Sequence, residues 1–258
     1  MKLSFLSLLI VTLLFGCKEH KDQALVSEDS ITQEVTTQSS FEVTPISHAT
    51  MVIQWDGKVV YVDPVGGAQL FDAYPAPDLV LVTDIHGDHM NAETLQGLNT
   101  SKASIVVPQA VADKLPESLQ EKLKVIGNGE NNEFAGIKVE AVPMYNLREE
   151  ALKFHSKGRG NGYVLELAGE RVYISGDTED IPEMRSLQNI DRAFVCMNLP
   201  YTMTVESAAS AVLEFKPKMI YPYHYRGGDG LSDVNKFKEL VNTGDSEIAV
   251  VQLDWYKK

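Results

Sequence analysis

From Phe41 onward, short apolar segments alternate with turn residues, and this pattern limits the fold more than any other feature of the chain. Segments this short, rich in Val and Ile and bounded by Gly, Pro or Asp, predict strands in preference to helices. Asp56-Gly57 lies between two of them and predicts a tight hairpin, and Gly169 marks a second one. The predicted strands are FEVTPI, MVIQW, KVVYVD, DLVLVT, SIVVP, KVIG, IKVEAVP, YVLEL, RVYIS, AFVCMNL, MIYPY and EIAVVQL.

Three segments between these strands predict helices. They are SLQEKLK, residues 205–215 with Thr204 as the N-cap, and the segment around FKELV. Strands outnumber helices, but helices recur between apolar strands in the second half, which favours an α/β fold with two sheets packed inside helices. With 258 residues, 44% of them hydrophobic, the chain can bury one sizeable core.

The amino-terminal segment has the character of a secretory signal. Residues 1–16 begin with a single Lys and continue as an apolar run that is short for a bilayer-spanning helix, which needs roughly 20 apolar residues. The following Cys17 completes a Leu-Phe-Gly-Cys tetrad that resembles a bacterial lipobox, although Phe15 departs from the small residue usual there. The alternative is a buried apolar cysteine in a plain signal. Residues 17–40 are polar and aperiodic and predict a flexible tether, so we expect a domain over 41–258 that is lipid-anchored to a bacterial membrane outside the cytoplasm.

Cysteine usage argues against an internal disulfide, and net charge argues against a nucleic-acid partner. If Cys17 carries lipid, only Cys196 remains, so the domain has no internal disulfide. Cys196 lies in the apolar AFVCMNL and is predicted to fill the core. The formal net charge is -13, and a field of this sign repels phosphate backbones, so we expect no nucleic-acid partner. No pattern indicates an oligomeric state.

The chemistry concentrates in the loop that follows the apolar strand DLVLV. Asp84, His86, Asp88 and His89 lie within six positions there, which neither a core nor a solvated face explains. Carboxylate oxygen and imidazole nitrogen together suit zinc, manganese or iron. Gly87 permits a sharp turn that aims both histidines inward.

Two further candidates occupy the same kind of position. Asp177, in Gly-Asp-Thr, follows the strand RVYIS, and His224, in Pro-Tyr-His-Tyr, follows MIY. An Asp after a strand is usually a turn residue and a lone His is usually structural. Their order and spacing after the first cluster are what indicate a shared metal site.

With these motifs the sequence resembles the metallo-β-lactamase-fold hydrolase superfamily over residues 44 to 226. The first cluster is similar to its H-x-H-x-D-H motif, with Asp84 in place of the first His. SHAT with His48, YVDP, FHSKGRGNGYVLEL, GDTEDIPEM and YTMTVESAA are similar to a branch of small hydrolases near the ascorbate-phosphate lactonases. The resemblance implies an αββα sandwich with metals at the sheet edges, and a metal set of Asp84, His86, Asp88, His89, Asp177 and His224.

The resemblance leaves the first metal position open. Its third-motif His aligns with Asn146 in VPMYN, a poor ligand, while His155 lies nine residues on and either substitutes for it or serves the substrate. Asp84 in place of imidazole shifts the preference from zinc toward manganese, iron or magnesium. One ion or two are both compatible with this set.

The resulting hypothesis is a metal-dependent hydrolase of a small ester, lactone or phosphoester, with zinc or manganese as the first choices of metal. A divalent ion acidifies a bound water and polarises the scissile group. Asp88, Asp84 and His155 are the candidate catalytic residues. The substrate-binding candidates are His48, Asn146 and Arg159, the last as a clamp for an anionic group. The alternatives are a β-lactamase and a non-catalytic metal-binding surface module that kept the fold.

Overall fold

The computed structural model describes residues 40–256, and the predicted signal and tether, apart from Ser40, lie outside these described residues. The first of its two large sheets has six strands in sequence order. β1 to β3 are antiparallel and β3 to β6 are parallel. These strands are β1 (Phe41–Ser47), β2 (Thr50–Trp55), β3 (Lys58–Val62), β4 (Leu79–Leu81), β5 (Ser104–Val107) and β6 (Leu123–Val125).

The second sheet has seven strands in the order β15-β12-β11-β10-β9-β8-β7. β7 to β10 are antiparallel, whereas β10, β11, β12 and β15 are parallel. Two further strands, β13 (Arg226–Gly227) and β14 (Gly230–Leu231), form a small separate hairpin. The seven strands are β7 (Asn131–Phe134), β8 (Ile137–Met144), β9 (Gly160–Leu167), β10 (Glu170–Ile174), β11 (Arg192–Cys196), β12 (Met219–Tyr223) and β15 (Ala249–Val250).

Helices cover both sheets. Alternate residues of β2 divide between two apolar clusters: Met51 and Ile53 join the core that reaches the second sheet, and Val52 joins a cluster with the helices of the first half. This alternation is what a strand buried on both faces requires, and it confirms the predicted arrangement of two sheets inside helices. The helices are α1 (Ala92–Gly97), α2 (Gln109–Ala112), α3 (Glu117–Gln120), α4 (Pro182–Arg185), α5 (Val205–Phe215) and α6 (Val234–Gly244), with 3₁₀ turns at Ala68–Phe71 and Glu149–Ala151.

Both predicted hairpins are present. Trp55 pairs with Lys58, which leaves Asp56 and Gly57 as a two-residue loop with φ angles of 48° and 75°. Positive φ at both central residues is the geometry that Asp-Gly favours, because its twist matches that of the flanking strands. The second hairpin turns at Ala168 and Gly169, between β9 and β10.

The helix predictions have a mixed outcome. α5 covers the predicted residues, and the Thr204 side chain accepts a hydrogen bond from the Ser207 N–H as an N-cap. The prediction for SLQEKLK is wrong in its second half: α3 ends at Gln120 and the chain continues into β6. A lone four-residue helix has little propensity signal, and pairing with β5 decides the conformation that follows.

Cys196 lies in the core, as predicted. Its side chain is fully buried at the end of β11, and burial raises the pKa of its thiol to about 12, with the nearby Asp177 carboxylate acting in the same direction. A thiol with such a pKa is unreactive at neutral pH. Among residues 40–256, no helix combines the length and apolarity needed to cross a bilayer.

Candidate metal centre

The predicted ligands meet at one edge of the sandwich. In each sheet the parallel strands end at this edge, and β2 and β9 begin there because they run antiparallel to β3 and β10. The loops that follow the parallel strands and the loops that precede β2 and β9 are therefore brought together from distant parts of the sequence. The residues so placed are His48 before β2, Asp63 after β3, Asp84 to His89 after β4, His155 and Arg159 before β9, Asp177 after β10, Asn198 after β11 and His224 after β12.

One cluster of potential ligands, here called the Asp84 group, consists of Asp84, His86 and His155. One ligand atom from each lies within 4.8 Å of the other two. The Nδ1 atom of His86 is 2.7 Å from Asp84 Oδ2, and His155 Nε2 is 4.0 Å from the same oxygen. Asp84 and His155 are buried, whereas the His86 side chain is 42% exposed at the opening.

The second cluster, the Asp177 group, consists of His89, Asp177 and His224, all of them buried. Asp177 lies between the two imidazoles: its carboxylate oxygens are 3.4 Å from His89 Nε2 and 3.5 Å from His224 Nε2. Asp88 joins from the solvent side, with an oxygen 3.2 Å from His224 Nε2. The three residues on which the predicted site depends most therefore converge.

Asp177 also connects the two groups. Its Oδ2 atom is 3.4 Å from His155 Nε2, the same distance that separates it from His89 Nε2. The Asn198 side-chain amide donates a hydrogen bond of 3.3 Å to this oxygen. A carboxylate between two sets of imidazoles is suited to bridge two cations.

His89 is held in place by a buried carboxylate that the sequence reasoning did not assign to the site. The Nδ1 atom of His89 is 2.8 Å from Asp63 Oδ2, and Thr83 donates to both Asp63 oxygens. A hydrogen bond at Nδ1 leaves Nε2 as the free nitrogen and fixes the ring orientation, the usual arrangement behind a ligating histidine. The signal for Asp63 was its position at the end of KVVYV.

The backbone at this edge is constrained as well. Asp63 and His224 have φ angles of 44°, in the left-handed region that residues other than Gly seldom adopt. Each costs on the order of 1–3 kcal/mol and persists only where the surrounding packing enforces it. Both directly follow a strand, so the strand ends hold these side chains at fixed angles to the site.

Arg159 is paired with a carboxylate of the site. Its guanidinium binds the Asp84 carboxylate through two hydrogen bonds, 3.1 Å from Nε and 2.9 Å from an Nη. The next residue, Gly160, lies so close to the Thr83 carbonyl that a Cβ there would approach it to 2.8 Å. This contact brings Arg159 to the loop that bears Asp84, where the two side chains form an ion pair inside the site. The role of Arg159 as a substrate clamp stays a prediction.

Asn146 is buried next to His155, with its amide nitrogen 3.3 Å from His155 Nδ1. Its side-chain amide is buried and donates to the carbonyls of Ala151 and Tyr201. It does not line the opening, whereas His155 does and lies 3.4 Å from Asp177. Eight intervening residues displace the histidine along the sequence, and the loop returns it to the site beside Asp177. Substrate binding by Asn146 stays a prediction.

His48 lies beside the Asp177 group. Its ring meets the His224 ring edge to face with centroids 5.5 Å apart, and it can join Asp88 and His224 as a ligand set. Its Nδ1 atom is buried without a hydrogen-bond partner. Burial lowers the pKa of His48, and the neighbouring His224 adds to the effect. His48 is therefore a neutral imidazole at the margin of the site.

The opening beside these groups is a pocket of about 320 Å³. Its lining includes Phe154, Asn198 and Tyr201. The sequence did not identify Phe154 or Asn198 as residues of the site. Tyr201 lines the pocket, whereas Tyr223 and Tyr225 are buried. Asn198 could have been found from its position at the carboxyl end of AFVCM; Phe154 carries no comparable signal.

Charges balance within the site. Burial alone would lower the pKa of His89, but the carboxylates of Asp177 and Asp63 outweigh it and raise that pKa well above its ordinary value. Burial alone would raise the pKa of Asp177, but His224 and His89 hold it well below its usual range. The buried carboxylates are therefore stabilised by positive charge close to them, and either protons on the imidazoles or metal cations can supply that charge.

The donors fit a divalent cation. His89 Nε2, His155 Nε2 and Asp177 Oδ1 are buried without a hydrogen-bond partner, and such atoms each cost roughly 1–3 kcal/mol if they stay unpaired. Ligands at about 2.1 Å from a tetrahedral ion lie roughly 3.4 Å apart. Asp177 lies 3.4 to 3.5 Å from His89, His155 and His224, and Asp88 lies 3.2 Å from His224, which matches this spacing. Asp88 and His89 are further apart, at 3.9 Å.

Two sheets inside helices, with a His and Asp cluster at one sheet edge, define the metallo-β-lactamase-fold class of proteins. The chain belongs to the family described as the Beta-lactamase superfamily domain, whose model matches residues 42–224. A UPF0173 metal-dependent hydrolase of Pyrococcus abyssi is 30% identical over 216 residues, covering 80% of this chain and 93% of that protein. One from Staphylococcus carnosus is 31% identical, covering 78% and 92%. The protein is a metal-dependent hydrolase of this fold.

Solved structures agree. A Parabacteroides distasonis protein, assigned as a metal-dependent hydrolase, is 36% identical and superimposes with a TM-score of 0.74, covering 85% of this chain and 99% of that one. The metallo hydrolase Igni18 of Ignicoccus hospitalis is 20% identical with a TM-score of 0.70, covering 84% and 96%. The second likeness concerns the fold alone.

Proposed function

We propose that this hydrolase uses one or two divalent ions, zinc or manganese, to cleave a small ester, lactone or phosphoester substrate. The observation that carries the proposal is the convergence of buried, unpartnered donor atoms from His89, His155 and Asp177. The Asp177 group with Asp88 would hold one ion. The Asp84 group would hold a second, with Asp177 shared between them.

When bound, a divalent ion there supplies an acidified water and polarises the oxygen of the scissile group. The side chains supply orientation and proton transfer. Asp88 is half-buried at the pocket, with oxygens 3.2 Å from His224 Nε2 and 3.9 Å from His89 Nε2. It would orient the attacking water and take its proton. Asp63 fixes His89 and Asn198 fixes Asp177, and His48, beside His224, would donate a hydrogen bond to substrate.

The donor set favours metals that accept oxygen as well as nitrogen. Three carboxylates and four imidazoles face the two groups, and one of the carboxylates, Asp84, stands where the superfamily motif has a histidine. Oxygen ligands shift the preference toward manganese and iron. The case for a non-catalytic module relied on an incomplete first site, and His155 beside Asp84 and His86 removes that argument.

Removal of metal tests the proposal. Protein stripped with a chelator is expected to lose hydrolysis of p-nitrophenyl acetate, γ-butyrolactone or bis-p-nitrophenyl phosphate by at least about a hundredfold, because no side chain replaces the acidified water. Added Mn²⁺ or Zn²⁺ should restore the rate in proportion to the bound metal, measured by elemental analysis. Full activity in metal-free protein would contradict the proposal, as would tight metal with no hydrolysis of any of the three. Nitrocefin serves as the β-lactamase comparison.

We further propose that the domain is held at a bacterial membrane, outside the cytoplasm, by lipid on Cys17. The support is the signal-like segment 1–16 followed directly by the cysteine. In cells, the Cys17→Ser variant is expected to move from the detergent-extracted membrane fraction to the soluble one. Cys196→Ala is the matched control, because that cysteine is buried in the domain and should leave the protein with the membrane. Membrane retention of Cys17→Ser would exclude lipid at this position as the anchor.

A further inference from the structure

One wall of the pocket is formed by two loops that are tied to each other. They comprise residues 145–159, between β8 and β9, and residues 197–204, between β11 and α5. The Asn146 amide donates to the Tyr201 carbonyl at 2.7 Å, and the Arg148 guanidinium donates to the carbonyls of Pro200 and Thr202. These bonds fix the wall relative to His155, whose Nδ1 lies 3.1 Å from the same Tyr201 carbonyl.

This wall is apolar. Phe154 and Tyr201 both line the pocket, and their rings meet edge to face with centroids 5.1 Å apart. Seven large hydrophobic side chains are exposed among residues 40–256, and four of them lie on these two loops: Leu147, Leu152, Leu199 and Tyr201. Exposed apolar side chains concentrated on the loops that form a pocket wall indicate a surface that binds an apolar ligand group.

The cations of these loops are occupied. Arg148 pairs with Glu179 at 2.6 Å, Lys157 with Glu183 at 2.7 Å and Arg159 with Asp84 at 2.9 Å. Lys153 lies over the face of the Phe154 ring, 5.0 Å from its centroid. No Lys or Arg lines the pocket in the described part of the chain. Three of these four cations are thus paired with carboxylates, and Lys153, which contacts the Phe154 ring, does not line the pocket.

We propose that Phe154 and Tyr201 form a subsite for an uncharged, apolar acyl group, so that the substrate is an ester or lactone with such a group and not a phosphoester. This inference rests on the proposed hydrolase function. A pocket of about 320 Å³ accommodates a short acyl chain next to the reacting group. Each methylene buried there is worth up to roughly a fourfold gain in kcat/KM.

The test is a series of p-nitrophenyl esters, from acetate through butyrate to hexanoate, with the metal-loaded full-length protein. The kcat/KM of the wild type is expected to rise by at least roughly tenfold across the series. In Phe154→Ala and Tyr201→Ala the loss should grow with chain length and appear mainly in KM, with bound metal unchanged. Val125→Ala is the control, because Val125 is an exposed apolar residue on β6 that does not line the pocket.

The outcomes separate the inference from the function on which it rests. Equal kcat/KM for acetate and hexanoate, unaltered in both variants, overturns the subsite while leaving the hydrolase intact. A higher kcat/KM for bis-p-nitrophenyl phosphate than for every ester overturns the substrate class alone. Metal-loaded protein that cleaves none of these compounds overturns the proposed function and the inference together.

Discussion

Replacing Asp177 by asparagine is expected to remove bound metal and to lower the hydrolytic rate by roughly a thousandfold or more. Among the described residues, its carboxylate alone approaches imidazoles of both groups, with oxygens 3.4 to 3.5 Å from His89, His155 and His224. Loss of a residue that merely supports a ligand costs about 10–100-fold in metal affinity, so loss of a shared ligand should cost more. Elemental analysis and kcat/KM on the best ester check the two expectations separately.

Asp191→Asn is the matched control for Asp177→Asn. Asp191 directly precedes β11 and so lies at the end of the second sheet opposite the pocket. There it pairs with Lys218 and accepts a hydrogen bond from the backbone N–H of Arg171. The chemical change is identical, so any general effect of neutralising a carboxylate appears in both variants. If Asp177→Asn retained the full metal content of the wild type, the shared-ligand role would be excluded.

The sequence was informative where the signal is local. Asp56-Gly57 specifies its hairpin because two consecutive positive φ angles suit few other pairs. α5 was recognisable from its N-cap Thr204 and its eleven residues. By contrast, α2 and α3 have four residues each, and their buried side chains pack with strand residues of the first sheet in one apolar cluster. Local propensity carries too little information over one turn of helix.

In the candidate site, too, the sequence is informative about residues at strand ends and uninformative about contacts between residues far apart in sequence. Residues that follow an apolar strand, such as His89, Asp177 and His224, were found because strand ends carry function at sheet edges. The Arg159 to Asp84 pair joins residues 75 positions apart across the two sheets, and no periodicity encodes that contact. Whether Asn146 or His155 completes the first metal position stayed open from the sequence, because the loop before β9 lengthens the spacing while it returns His155 to the site.

The second large effect is expected at the Asp84–Arg159 ion pair. Asp84 is fully buried, and burial alone would raise its pKa, but the hydrogen bond with His86 and the charges of His89 and Arg159 bring that pKa below its ordinary value. A buried carboxylate that loses its partner destabilises a protein by about 3–5 kcal/mol, less where the partner is partly exposed, as Arg159 is. Arg159→Met should therefore lower the free energy of unfolding of the metal-free protein by about 2–3 kcal/mol.

The pair as a whole carries no net charge, which explains how a carboxylate can stand where an uncharged imidazole is usual. Asp84→His alone places an imidazole against the Arg159 guanidinium, now without its counter-charge, so both stability and metal binding should fall. Asp84→His with Arg159→Met removes both charges and keeps a ligand. The double variant should regain most of the stability lost by each single variant and bind more metal than Asp84→His. Urea unfolding of metal-free protein, with metal content measured on reconstituted samples, gives the double-mutant cycle. Additive losses would mean that the two side chains act independently, and the neutral-pair explanation of Asp84 would then be wrong.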